Sequence, residues 1–304
     1  MKALESSFTV HVDPMSKDPA GFADLAPRLV GLAASGESKV PGSLLAQLPA
    51  LKVVSVFGVG YDGVDVAAAR ERGIAVTHTP SVLSDDVADL AMLLMLAVAR
   101  GLPRADQHVR AGQWPQGGLP LGRKVSGARL GIVGLGRIGQ AIAQRGQGFG
   151  MSIAYTTRTE KPDLGFTYFP SAKALAAEVD FLIVITPGGA ATRHLINAEV
   201  LAALGPQGYL INVARGSVVD EDALIAALSS GGIAGAGLDV FANEPHVPEA
   251  LWTLPNVVLT PHIASATVQT RQAMAELAFA NMQAGTAGQP VLTMVPELQA
   301  AVNA

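Results

Sequence analysis

The chain has 304 residues, 49% of them hydrophobic and 15% charged, and a formal net charge of -4. That length supports two domains, the apolar content excludes a disordered chain, and the negative balance offers no overall basic face for a nucleic-acid partner. With no cysteine at all, disulfides, thiolate nucleophiles and cysteine-based zinc sites are excluded, which fits a reducing compartment.

The N-terminal stretch MKALESSFTVHVDP has no apolar core of the length a secretory signal needs, because acids and a histidine interrupt it. From FTVHV to about residue 98, short apolar runs such as LVGLAA, LKVVSVFG and IAVTH alternate with helix-like SLLAQLP and DVAAARERG. Alternation of this kind predicts an α/β layer with a mostly parallel sheet. The apolar run Val87–Ala99 is too short to span a membrane and reads as a buried helix. Asp85, Asp86 and Asp89 read as residues that cap and solvate it, and Asp62 and Asp65 as turn and helix-start residues. Arg110–Gly127, rich in Gly and Pro, marks a loop or lobe crossing.

A second series follows: ARLGIVG, SIAYTTR, FLIVIT, YLINVA, AGLDVF and VVLTPH. Two α/β lobes with parallel sheets, Rossmann-like or flavodoxin-like, are therefore expected, with an active-site cleft between them that closes on substrate. The predicted division is 1–98 plus 284–304 for the substrate-binding lobe and 99–283 for a dinucleotide-binding lobe, the last long helix crossing back. The reading is of a soluble, cytoplasmic protein, with neither membrane nor nucleic acid as partner. No cluster of histidines and acids has metal-ligand spacing, so no metal is expected.

Gly134, Gly136 and Gly139 form GxGxxG between strand-like RLGIV and helix-like RIGQAIAQRG. The first glycine permits the tight turn, the second lets a pyrophosphate approach the backbone, and the third lets helix and strand pack closely. Amides at the helix start then receive the anion. An NAD site would add an acid roughly 20 residues on, for the ribose 2′-hydroxyl. From Tyr155 to Thr159 there is none; Thr156 and Thr157 offer hydroxyls and Arg158 a planar cation suited to phosphate. NADP(H) is the expected cofactor, with NAD(H) possible.

Three strand ends then deliver Arg215, Glu244 and His262 toward one edge of the sheet. Dinucleotide-linked reduction of a carbonyl needs a hydride at the carbon, a proton at the oxygen and, for an anionic substrate, a partner for its charge. His262 can supply the proton, since imidazole titrates near neutrality. Glu244, against the other ring nitrogen, would orient the ring and stabilise imidazolium. Arg215 can hold the carboxylate and polarise the carbonyl. The alternative for His262 is a structural plug at a strand end, for Arg215 a salt bridge, for Glu244 a solvated loop acid.

GLGRIG, NVARGSVVDEDAL, GAGLDVFANEP and LTPHIASAT, with SVFGVGYDGVDVAAARERGIAVTHTP and VLSDDVADLAMLLMLAVAR in the first lobe, resemble the D-isomer-specific 2-hydroxyacid dehydrogenases. The likeness runs from about Leu44 to Met274 and is closest to the NADPH-using glyoxylate/hydroxypyruvate and hydroxyphenylpyruvate reductase branch. It implies the same roles for Arg215, Glu244 and His262. It implies cofactor contacts at Arg137, Ile138, Thr186 and Val213, and at Asp239 a contact with the nicotinamide carboxamide, against a helix-capping or turn role. It implies a carboxylate site at the backbone amides of Val59 and Gly60, against a plain tight turn. A homodimer joined through RAGQWPQGGLPLG and its neighbouring helix is implied too.

Trp114 and Trp252 are read either as pocket residues or as core or interface packing. The same fold admits two other functions: a dinucleotide-sensing, corepressor-like scaffold, and formate oxidation. The latter resembles a version with Gln where Glu244 stands. Phenylpyruvate and 2-ketogluconate stay open as substrates beside glyoxylate and hydroxypyruvate.

Overall fold

The computed structural model describes residues 2–302. Two compact units emerge, one made of the residues up to Leu83 with those from Thr267 onward, the other of Ser84–Ala266.

In the first unit β1 (Gly31–Ser35), β2 (Val53–Phe57) and β3 (Ala75–Thr77) form a parallel sheet in the order β1-β2-β3. Val53, Val54 and Val56 of the middle strand are wholly buried, and the helix Val268–Thr286 lies against it. The Ser55 hydroxyl donates to the Ala278 carbonyl at 2.9 Å, so the one polar residue of β2 is satisfied by that helix. Past the helix, Val295 donates its N–H to Val76 at 2.9 Å and Met294 bridges Thr77, which ties the C-terminal segment to β3. Phe8–Val12, where the alternation was expected to begin, joins no sheet: its residues are half-buried or exposed and lie in no strand.

The second unit carries seven parallel strands: β4 (Arg129–Val133), β5 (Ser152–Thr156), β6 (Thr167–Tyr168), β7 (Phe181–Val184), β8 (Tyr209–Asn212), β9 (Gly235–Leu238) and β10 (Val257–Leu259). Their order is β10-β9-β8-β7-β4-β5-β6. β7 and β9 are buried along their whole length, as strands covered on both faces must be, and so read as unbroken apolar runs. From β4 the chain steps outward through β5 and β6, then returns to β7 and steps the other way. The order reverses between β4 and β7, so a crevice opens beyond their carboxyl ends, where ligands bind in sheets of this kind.

The run Val87–Ala99 is the core of the helix Ser84–Arg100, which packs on β8, β9, β10 and the helix Arg137–Gly148. Asp85 and Asp89 at its start both pair with Arg145 of that neighbour, at 3.2 and 2.6 Å, a role beyond solvation. No helix among the described residues is long and apolar enough to cross a membrane. Packing divides the chain at the opposite ends of its two long helices from the expected crossings near 98 and 283: Ser84–Arg100 belongs by its contacts to the second unit, Val268–Thr286 to the first. Of the expected first lobe, residues 1, 303 and 304 lie outside the described residues.

Phe181 at the start of β7 is fully buried and stacks on Tyr209 of β8, ring centroids 5.1 Å apart. Phe181→Ala is expected to cost about 3–5 kcal/mol of stability through the cavity it leaves, measured by urea unfolding.

Candidate functional site

The glycines after β4 hold three different positions. Gly134 has φ 102°, and a Cβ there would stand 2.8 Å from the Ile185 carbonyl oxygen at the facing end of β7. Gly139 lies so close to the turn that a Cβ would overlap the Gly134 carbonyl. At Gly136 a Cβ would meet nothing within 4 Å, so the space in front of the helix Arg137–Gly148 is open there. That helix makes its first closing bond from Gln140 to the Gly136 carbonyl, 2.9 Å. The amides of Arg137, Ile138 and Gly139 precede it and are first-turn donors without a helical acceptor, the arrangement a pyrophosphate requires. The residues present fit a dinucleotide.

β5 runs parallel to β4 and brings Thr156, buried, to the same edge; its carbonyl accepts the Gly134 N–H at 3.0 Å. Thr157 turns its hydroxyl inward to the Thr159 carbonyl at 2.6 Å, so it shapes the bend, while Arg158 is exposed beside it. Lys161, which carries no signal in the sequence, donates its Nζ to the Leu135 carbonyl inside the glycine turn at 2.9 Å. Only a contact 26 residues away gives it that place. Thr186, half-buried, follows β7 at the crevice, next to Gly134. Val213 is buried past the end of β8, its N–H on the Val184 carbonyl at 3.3 Å.

Arg215 follows two residues later in extended conformation, half-buried. Asn212, itself buried, holds the segment: its side chain donates to the Arg215 carbonyl at 3.1 Å and accepts the Ala214 N–H at 3.1 Å. At Gly216 a Cβ would overlap the backbone of Phe241 and Ala242. This close approach of two loops brings Arg215 near enough to Glu244 for its charge to act on that carboxylate.

His262 and Glu244 meet directly, Nδ1 to Oε2 at 2.7 Å, with the imidazole 30% and the carboxylate 20% exposed. The other oxygen, Oε1, accepts the Phe241 N–H at 2.8 Å. Burial pushes the Glu244 carboxyl up, but the hydrogen bonds from His262 and Phe241 and the charges of His262 and Arg215 prevail and hold it below its ordinary value. His262 itself sits at φ 52°, in the left-handed region that residues with a side chain enter uncommonly and at some cost. Asp239 holds it. Fully buried, Asp239 accepts the amides of Ile263 at 2.8 Å and Ala264 at 2.9 Å and the Thr260 hydroxyl at 2.6 Å, while its own carbonyl accepts the His262 N–H at 2.9 Å. Burial raises the Asp239 carboxyl, against the pull of these bonds. Its carboxylate is thus engaged by the loop.

Val59 and Gly60 belong to the first unit, in the loop after β2. Their amides find no acceptor among the described residues, as an anion-binding turn requires. Asp65 caps the helix Val66–Glu71 through the Ala68 amide at 2.9 Å, as read from the sequence. Trp114 and Trp252 are 69% and 62% exposed, so neither packs in a core.

A family model described as D-isomer specific 2-hydroxyacid dehydrogenase, NAD binding domain, matches residues 92–264. The chain is 49% identical to a glyoxylate/hydroxypyruvate reductase of Arabidopsis thaliana over 88% of its own length and 84% of the relative's. To a 2-ketogluconate reductase of Gluconobacter oxydans it is 45% identical, over 96% and 93% of the two chains. The crystal structure of an NADPH-dependent glyoxylate/hydroxypyruvate reductase from Sinorhizobium meliloti, in complex with NADP and malonate, superposes with a TM-score of 0.90 at 49% identity, covering 98% of this chain and 94% of that one.

Two outcomes follow from the geometry. Gly216→Ala must part the two loops; it is expected to cost about 1–3 kcal/mol in denaturant melts, and to impair turnover more than that loss explains, because Arg215 and Glu244 separate. Since the folded protein holds Glu244 below its value in the unfolded chain, the pair adds stability above the ordinary carboxylate range and loses it as pH falls through the depressed value. Unfolding midpoints of Glu244→Gln against the wild type should therefore differ most at neutral pH and converge in acid.

Proposed function

The chain belongs to the D-isomer-specific 2-hydroxyacid dehydrogenase family, and we propose that it is an NADPH-linked reductase of small 2-keto acids of the glyoxylate and hydroxypyruvate type, yielding the D-2-hydroxy acid. The observation that carries this reading is the 2.7 Å bond between His262 and Glu244 at the carboxyl edge of the sheet, with the charge of Arg215 acting on the same carboxylate. When bound, the nicotinamide cofactor supplies the hydride. His262, its Nδ1 anchored on Glu244, gives the proton to the carbonyl oxygen from Nε2. Arg215 draws charge onto that oxygen and grips the substrate carboxylate. The amides of Val59 and Gly60, in the first unit, are assigned to a substrate carboxylate.

Gly134, Gly136 and Gly139, with the amides of Arg137 and Ile138, are assigned to the pyrophosphate, and Thr186 and Val213 to the nicotinamide end. Arg158, beside Thr156 and Thr157 and without an acid between Tyr155 and Thr159, is assigned to the 2′-phosphate. The Lys161 ammonium at the glycine turn adds positive charge on that side. The NADP complex of the Sinorhizobium meliloti relative supports this preference. The Gluconobacter oxydans relative makes 2-ketogluconate the second substrate to test.

We infer a cytoplasmic homodimer. Leu121, fully exposed, and Trp114 and Val109, more than half exposed, lie on the helix Leu102–Arg110 and the segment after it, three large apolar side chains for a second copy to cover. Sedimentation of Trp114→Ser/Leu121→Ser is expected to show monomer where the wild type shows dimer.

The deciding assay is NADPH oxidation with a panel of glyoxylate, hydroxypyruvate, hydroxyphenylpyruvate and 2-ketogluconate. Absence of turnover with all four, alongside tight NADPH binding, would favour a dinucleotide-sensing scaffold. His262→Ala is expected to lower kcat by about 10²–10⁴, and Arg215→Ala by about 10²–10³, with NADPH affinity retained; near-normal turnover in either variant overturns the mechanism. Arg158→Ala should raise the KM for NADPH about ten-fold or more and leave that for NADH unchanged.

A further inference from the structure

A polar cluster in the first unit lies directly behind the Val59–Gly60 turn. At the end of β3, His78 is buried, and its Nδ1 lies 3.0 Å from the Val59 carbonyl oxygen. A carbonyl only accepts, so Nδ1 carries the proton and the ring donates. The imidazole stands edge-on to Tyr61, centroids 5.3 Å apart at 90°. Its neighbour Thr79 grips the preceding residue twice: Thr79 N–H donates to the Gly58 carbonyl at 2.8 Å, and its hydroxyl oxygen accepts the Gly58 N–H at 3.1 Å.

Peptide geometry converts these anchors into aim. In a trans peptide the C=O and the following N–H point in opposite directions. The Gly58 carbonyl shares its plane with the Val59 N–H, and the Val59 carbonyl shares its plane with the Gly60 N–H. Thr79 and His78 therefore hold the two carbonyls on one side and turn both amides to the other. The His78 ring is itself fixed at its base. Thr293 accepts the His78 N–H at 3.1 Å and returns its hydroxyl to the His78 carbonyl at 2.6 Å. Asn281, wholly buried, accepts the Leu292 and Thr293 amides at 2.9 and 3.1 Å and donates to the Thr293 hydroxyl at 2.7 Å.

We propose that His78 is a positioning residue for the substrate carboxylate, its Nδ1–H locking the Val59–Gly60 peptide so that the Gly60 amide points at the anion. This rests on the reading of Val59 and Gly60 as the carboxylate site. The Thr79 N–H that holds the Gly58 carbonyl is main chain and survives substitution; the His78 anchor on the Val59 carbonyl is a side chain and can be removed. Binding of the keto acid, and not of the cofactor, then depends on it.

Steady-state kinetics of wild type, His78→Ala and His78→Asn with glyoxylate and NADPH, alongside thermal midpoints, test this. In His78→Ala the KM for glyoxylate is expected to rise about ten-fold or more, with kcat and the KM for NADPH within about two-fold of wild type. His78→Asn, whose amide places an N–H near the same point, is expected to recover most of the loss. An unchanged glyoxylate KM in His78→Ala overturns the proposal, as does an equal rise in both variants or a parallel rise for NADPH, each of which marks a purely structural residue. If His78→Ala does not fold, Thr293→Val, which loosens the base of the ring, takes its place and is expected to raise the glyoxylate KM alone; an unchanged value overturns the proposal. A wild type that oxidises no NADPH with any keto acid removes the carboxylate-site reading and this inference together, whereas an active wild type with unaltered variants removes only this inference.

Discussion

The buried carboxylate of Asp239 is the constraint from which the candidate site is built. A histidine at φ 52° would relax to an ordinary conformation if nothing opposed it. Asp239 opposes it by taking two successive amides and one hydroxyl of the loop, while its own carbonyl takes the His262 amide. Carboxylate acceptors make hydrogen bonds of the stronger, charge-assisted kind. Once the loop is held, the imidazole has one direction to face, and Glu244 meets it there. Removing the Asp239 side chain would free three donors at once, the two amides and the hydroxyl, while the main-chain bond to His262 stays.

The second constraint is the sheet. Seven parallel strands end along one edge, and reversal of their order between β4 and β7 places a crevice there, with Gly134 packed closely on Ile185 and Thr186 and open space at Gly136. β8, β9 and the turn after β10 deliver Arg215, Asp239 and His262 from positions far apart in the chain. Gly216 sets how near they come, since its missing side chain is the space that Phe241 and Ala242 occupy. Loop approach and strand order together do what neither achieves alone.

Much of this was legible in the sequence where the signal is local. Strand, glycine turn and helix follow one another within about 20 residues, so Gly134, Gly136 and Gly139 could each be given a reason before their surroundings were known. Arg215, Glu244 and His262 were legible because each follows an apolar strand run. Residues whose role is made by distant partners were not. Lys161 looks like a surface lysine until Leu135 is found beside it, and Gly216 like one glycine among 33 until the Phe241 backbone is placed. His78 reads as the end of IAVTH, since nothing nearby announces the carbonyl it holds. The grip of Asp239 on the His262 loop is likewise hidden in the sequence, because its three donors come from residues more than 20 positions later. The opening stretch Phe8–Val12 alternates as a strand does, yet alternation supplies no partner to pair with.

A carboxylate at position 244 is required by donor count as well as by charge. Two N–H groups converge on it: the main-chain amide of Phe241 on Oε1 and the imidazole on Oε2. A carboxylate satisfies both because each oxygen accepts. An amide offers one oxygen and one NH2, so whichever donor faced the NH2 would lose its acceptor. With the oxygen kept on Phe241, the NH2 would press on Nδ1 and demand a lone pair there, which forces the proton to Nε2. That tautomer cannot complete a proton transfer, because after Nε2 has given up its proton the neutral ring must carry its remaining one on Nδ1. Glu244 accepts from Nδ1 both before and after the transfer, so His262 can cycle between its two states without turning and without leaving a donor unpaired.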